Sequence, residues 1–166
     1  MNVSFDIKLT VKDLYKFNIL QAYKGMQGIL SIILPLLVFA YTVSTFGEVS
    51  IGSTLVYAAL GILFLIYVPI SLWLRVKKVI TNPEHALSKT LHYDFSEDVI
   101  RVSVEQESVE FKWENIYQMK TFGNLVLVYT NRINAYILPI SQIGTAYPQL
   151  SELAYKKLEK YRIKMK

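Results

Sequence analysis

Two histidines, thirteen carboxylates and a set of hydroxyls, without a single cysteine, are what this 166-residue chain could bring to chemistry. Their spacing does not assemble into a site. His85 and His92 lie seven residues apart across a proline-initiated segment and a strand-like segment. A zinc site needs three or four converging N, S or O donors, which two histidines and no thiolate do not supply at that spacing. His92, Tyr93 and Asp94 are consecutive in an extended pattern, so they alternate faces and cannot act as a triad. Ser141 and Ser151 lack the glycine-flanked elbow that exposes a nucleophile, and no phosphate-cradling glycine pattern occurs. The run GMQG, residues 25–28, abuts an apolar stretch and reads as a flexible or closely packed helix turn rather than a nucleotide loop. The expectation is a non-enzymatic protein with no metal and no cofactor.

Charge patterning says more than the reactive residues do. Residues 94–114 hold seven acids (Asp94, Glu97, Asp98, Glu105, Glu107, Glu110 and Glu114) against two bases. Residues 155–166 hold six bases (Lys156, Lys157, Lys160, Arg162, Lys164 and Lys166) against one acid. A third basic group, Arg75, Lys77 and Lys78, closes a long uncharged run at SLWLRVKK. Each Lys or Arg close to an anionic bilayer adds about 1 kcal/mol of attraction. Arg75, Lys77, Lys78, Lys156, Lys157, Lys160, Arg162 and Lys164 are therefore the candidate contacts with a lipid surface. The simplest alternative is a solvated surface and an ordinary helix end. Six bases could also make a salt-sensitive nucleic-acid contact, but no fingerprint or base-stacking platform accompanies them, so nucleic acid is not an expected partner.

The elements that would carry these charges are set by hydrophobicity. The 23 residues between Lys24 and Glu48, and the 26 between Glu48 and Arg75, carry no charge. A hydrocarbon core of ~30 Å needs about 20 apolar helical residues, so both runs can span, near 27–46 and 50–74. They predict a transmembrane hairpin over 27–74. The connection VSTFGEVS, 43–50, has no Lys or Arg, whereas Lys12, Lys16 and Lys24 precede the first run and Arg75, Lys77 and Lys78 follow the second. Basic flanks stay inside, so both termini are expected in the cytoplasm of a bacterial cell with the plasma membrane as the site of insertion. Trp73 and Tyr67 at one end, and Tyr41 and Phe46 at the other, suit the interfacial belts. Pro35 and Pro69 would shape the spans. No Asp, Glu, Lys, Arg or His lies inside either run, which argues against a transporter or pump. Two spans could form a channel only by oligomerising, and Ser53, Ala58 and Gly61 offer some small residues for self-association.

Before the hairpin, Val3, Phe5, Ile7 and Leu9 alternate with Ser4, Asp6 and Lys8, a half-buried strand. Thr10 and Asp13 form a variant capping box that opens a helix expected to run on into the first span, so 1–26 reads as strand plus juxtamembrane helix. Residues 75–89 read as an extension of the second span and a connector broken at Asn82–Pro83. From residue 90 onward short strands alternate with turns, in LHYDF, VIRVSV, SVEFKW, NIYQMKTF, LVLVYT and AYILPI, and predict a meandering antiparallel sheet or barrel. In SVEFKW, Val109, Phe111 and Trp113 would share one face. The last stretch, 147–166, reads as an amphipathic helix with Leu150, Leu153, Ala154, Leu158 and Tyr161 on one stripe. A lone strand cannot satisfy its backbone, so 3–9 is expected to pair with the sheet beyond residue 90, across the hairpin.

Antiparallel strands capped by a C-terminal helix outline a pleckstrin-homology-like (PH-like) domain over 90–166. The segment FKWENIYQMKTFGNLVLVYTNRINAYILPISQI, with LTVKDLYKFN before the hairpin, resembles the YcxB-like family of bacterial membrane proteins. That resemblance implies a two-span membrane protein with a cytoplasmic PH-like domain, a membrane α+β fold, and it brings no catalytic residues. The expected role is binding or scaffolding at the cytoplasmic face, with the bilayer, a protein of unknown identity and further copies of the chain as candidate partners. A self-immunity or protective factor against a membrane-active bacteriocin is the alternative, and a small oligomeric channel a third.

Overall fold

The computed structural model describes residues 2–165. The chain divides into two compact units, one formed by the residues before 15 together with those from 78 onward, the other by 15–77.

The first unit is built from both ends of the chain. Strand β1 (Val3–Lys8) pairs antiparallel along its whole length with β2 (Thr90–Phe95), from Val3 opposite Phe95 to Lys8 opposite Thr90. This is the pairing the alternation predicts. Val3, Ile7 and Leu9 are buried, and Phe5 stacks on Tyr93 and Phe95 with ring centroids 5.9 and 5.7 Å away. The other face stays wet, and there Asp6 meets His92 at 2.6 Å. Strands β3 (Val99–Val104) and β4 (Glu107–Lys112) complete a sheet of order β1-β2-β3-β4. Beyond β1, Thr10 and Asp13 make the expected capping box: each backbone N–H donates to the other's side chain at 3.2 Å, and the Thr10 hydroxyl donates to the carboxylate at 2.6 Å. This box opens helix α1 (Val11–Ala22).

A second sheet holds β5 (Gln118–Phe122), β6 (Leu125–Tyr129), β7 (Ala135–Pro139) and β8 (Ile163–Lys164), in the order β7-β6-β5-β8. All five residues of β6 are buried, which is why LVLVY is apolar without alternation. A short helix, α4 (Ile140–Ile143), leads towards α5 (Tyr147–Lys157), whose Leu150, Leu153 and Ala154 are fully buried.

Four expectations need correction. The sheet is not one meander but two four-stranded sheets, and its last pairing, β5 with β8, is parallel. The C-terminal helix stops at Lys157: Leu158 turns extended and remains buried, and Ile163 and Met165 are buried on either side of exposed Lys164. That period of two marks a strand, and Tyr161, 66% exposed in the 3-10 turn before it (Lys160–Arg162), never joins the helical stripe. Trp113 leaves the strand for a 3-10 turn (Trp113–Asn115), where its indole N–H donates to the Ser96 carbonyl at 2.9 Å. Val109, by contrast, is 59% exposed, so the pair does not share a buried face, and β5 begins only at Gln118. Lastly, α1 does not continue into the first apolar helix.

The second unit holds that helix, α2 (Met26–Ser44), and α3 (Ile51–Thr81). Between α1 and α2 the chain turns at residues 23–25, and the Gly25 carbonyl accepts from the Gly28 and Ile29 N–H groups. A Cβ on Gly28 would lie 2.2 Å from the Ala22 carbonyl oxygen, so this turn is closely packed and requires glycine. α3 runs past the expected end of the apolar run through Arg75, Lys77 and Lys78, and both helices continue through their prolines, Pro35 and Pro69. The two helices pack antiparallel, with Tyr41 against Tyr57 (ring centroids 5.4 Å) and Gly61 facing the Phe39 ring. Towards the other end Tyr15 meets Trp73 edge to face at 5.6 Å. The hydroxyls of Ser31, Thr42 and Ser71 all donate to carbonyls three or four residues back in their own helices. Most of the apolar side chains of α2 and α3, among them Leu36, Leu37, Leu55 and Leu63, are exposed.

Candidate interaction surface

The basic residues divide into two groups with different surroundings. Arg75, Lys77 and Lys78 are exposed on the last turns of α3. The C-terminal bases belong to the sheet unit and are largely tied into it. Lys156 and Lys157 approach the Glu97 carboxylate at 3.3 and 3.8 Å. One Nη of Arg162 donates to the backbone carbonyls of Ile116 at 3.2 Å and Glu114 at 3.4 Å, and its Nε donates to the Tyr161 hydroxyl at 3.2 Å. That hydroxyl contact keeps the Arg162 guanidinium protonated beyond its ordinary range. Lys160 is exposed in the 3-10 turn before β8 and Lys164 is exposed within β8, while Lys166 falls outside the described residues.

Register places the tail bases at one end of the sheet. The chain leaves for the apolar helices at the Lys8/Thr90 end of β1 and β2. Glu97, which holds Lys156 and Lys157, lies in the turn after Phe95, at the opposite end of β2. Six extended residues separate those ends by roughly 20 Å. An open cleft of ≈ 450 Å³ lined by Tyr117, Gln118, Thr130, Tyr161 and Arg162 is next to the Glu114 turn.

The exit end has its own fastening, which the sequence did not announce. The Gln142 side chain accepts from the Lys8 N–H at 2.8 Å and donates to the Lys8 carbonyl at 2.9 Å, acting as a one-residue strand neighbour across 134 positions. Ile140 N–H donates to the Asn124 carbonyl, which fixes α4 against the β5–β6 turn. Nearby, Lys89 pairs with Glu105 at 2.8 Å beside the β3–β4 turn.

The remaining reactive residues are occupied structurally. His85 accepts from the Leu87 N–H through Nδ1 at 3.2 Å, capping a short 3-10 turn, while His92 holds Asp6. Burial raises the hydroxyl pKa of Tyr93, with a smaller contribution from neighbouring Tyr136. Burial likewise raises Tyr129 and Tyr136. No group of three potential metal ligands converges among the described residues.

Strand β4 is the feature that the fold leaves incomplete. It pairs on one side with β3, and among the described residues no strand pairs with its other side. Val109 lies opposite buried Val102, on the core-facing side of the sheet, yet it is exposed. Phe111, on the same side, stacks face to face on Tyr136 of β7 with centroids 5.3 Å apart. On the outer side Glu110 pairs with Arg101 across the strands. The alternation in the sequence places Val109 on one face with Phe111 and Trp113; at Val109 that face has no neighbouring strand among the described residues and is uncovered.

The family model described as YcxB-like protein matches residues 95–154, a little over a third of the chain, and bears out over that segment the resemblance read from residues 111–143. No curated protein matches the chain. No solved structure matches it.

Proposed function

We propose that the chain is a non-enzymatic binding or scaffolding protein of the bacterial plasma membrane, in which α2 and α3 cross the bilayer as a hairpin. The observation that carries this reading is the pairing of β1 with β2. β1 precedes the two apolar helices and β2 follows them, so any membrane crossing must return the chain to the side it left. Two crossings do so and one does not. The exposed apolar side chains of α2 and α3 support the same reading, because in water they would form a patch far larger than monomeric proteins tolerate. In lipid they need no cover, and the inward-turned hydroxyls suit a solvent without hydrogen-bonding partners. The basic residues flanking the helices favour both termini in the cytoplasm.

On this reading the sheet unit is a PH-like module in which β1–β4 and β5–β7 form the two sheets and α5 covers one of them. The hairpin is an insertion between the first two strands, and β8 is an addition at the end. Arg75, Lys77 and Lys78, continuous with the spanning helix, are the residues proposed to meet lipid headgroups. Among the tail bases Lys156, Lys157 and Arg162 are assigned a mainly structural role, since they are engaged within the unit, while exposed Lys160 and Lys164 stay candidate lipid contacts. The module then serves as a cytoplasmic docking platform for a protein partner. Alkaline carbonate washing of membranes from cells producing the full chain tests the anchoring. Retention in the pellet is expected, whereas release into the wash would mean that the apolar helices are covered by protein rather than lipid.

A further inference from the structure

We propose that the free edge of β4 is a docking site for an extended segment of a partner protein in which apolar and basic side chains alternate. The proposal rests on the reading of the sheet unit as a binding module and names its site and the chemistry of its partner. Three observations combine. The outer edge of β4 has no strand neighbour among the described residues, so its outward N–H and C=O groups can accept an added strand. Val109 shows that the apolar face of the sheet continues to this edge but is not covered there, being 59% exposed opposite buried Val102. The edge and its flanking turns carry Glu105, Glu107, Glu110 and Glu114 against Lys112; with Lys89 on Glu105 and Arg101 on Glu110 one negative charge remains in excess, so a basic segment is favoured over an acidic one or a second β4.

The pleat sets the pattern of the partner. Residues directly opposite one another in a ladder share a face. An incoming strand therefore needs apolar side chains opposite Val109 and Phe111, where they extend the buried face, and a Lys or Arg opposite Glu110. There the cation would stand on the far side of the carboxylate from Arg101, making a three-charge row across the sheet. The charged residues on β4 guard this edge against uncharged strands and so restrict pairing to a segment of opposite charge.

The test uses the full chain in detergent micelles, so its result does not depend on which side of a membrane the sheet unit occupies. The probe is a fluorescently labelled peptide of alternating Val and Lys, eight residues long. Binding that weakens with salt is expected, with at least a tenfold loss for Val109→Asp and a several-fold loss for Glu110→Gln. Both substitutions fall on exposed side chains, and unchanged thermal unfolding would establish that the variants fold. A peptide with alternate backbone nitrogens methylated should not bind, because it cannot complete the ladder, and a Val/Glu peptide should not bind either. Equal binding of the methylated peptide, or unchanged affinity in Val109→Asp, would overturn the assignment. No binding of the Val/Lys peptide would also overturn it while leaving the membrane anchoring untouched.

Discussion

Replacing Ile7 with alanine tests how the two ends of the chain depend on each other. Ile7 is completely inaccessible in β1, opposite buried Leu91, with Val3 and Leu9 buried on the same face. Removing three carbons from such a site costs about 2–5 kcal/mol, the upper part of that range applying where the surroundings cannot collapse. A domain's whole stability is about 5–15 kcal/mol, so Ile7→Ala should remove a large fraction of it. The readout is urea unfolding of the full chain in micelles, followed through Trp113, which is buried and bonded to Ser96, with Trp73→Phe silencing the other indole. With a slope of about 2 kcal/mol per molar urea, a loss near 3 kcal/mol shifts the midpoint by roughly 1.5 M. Ser4→Ala, on the exposed face of the same strand, should shift stability by less than about 0.5 kcal/mol. A shift that small for Ile7→Ala would refute the claim that β1 is an integral strand of a domain encoded 80 residues later.

Other perturbations address particular contacts. Gln142→Leu removes both hydrogen bonds to Lys8 and should cost about 1–2 kcal/mol, visible as faster amide exchange at Lys8. Gly61→Leu should part α2 from α3, since even a Cβ at this position would lie 2.9 Å from the Phe39 ring; disulfide yield between Tyr41→Cys and Tyr57→Cys should drop and recover with Phe39→Ala. Burial lifts the hydroxyls of Tyr93, Tyr129 and Tyr136 above the ordinary value of 10.0, so the unfolded chain ionises first. Stability should therefore be intact below about pH 10 and fall as pH rises above it, and Tyr93→Phe should flatten that fall in urea midpoints measured across the range.

Much of this architecture could be read from local patterns. The alternation of Val3 to Leu9, the Thr10–Asp13 capping box and the two uncharged runs each state one element plainly, and the need of a lone strand for a partner led to β2. What stayed hidden depended on contacts between distant residues. Arg162 and its basic neighbours look like a free charged tail, but the guanidinium grips the Ile116 carbonyl, and nothing in the sequence marks that acceptor. The strand in RIKMK is two residues long and lies at the end of a helical stripe, so its period of two was masked. Gln142 carries no signal at all, because a side-chain amide bonding to a backbone 134 positions away has no local signature. Val109 follows the alternation of its strand, and its exposure is legible only in the sheet order, where among the described residues no strand lies beyond β4.

The central claim, that a membrane hairpin interrupts one domain whose two parts lie on the same cytoplasmic side, is tested most directly by single-cysteine accessibility. The chain has no cysteine, so each introduced thiol reports alone. Ser4→Cys lies on the exposed face of β1, Ser108→Cys on exposed β4, and Glu48→Cys in the connection between the apolar helices. A membrane-impermeant maleimide added to intact cells should label Glu48→Cys only, with Ser4→Cys and Ser108→Cys becoming reactive together once the membrane is opened. Labelling of Ser4→Cys or Ser108→Cys in intact cells, or protection of Glu48→Cys there, would contradict the account.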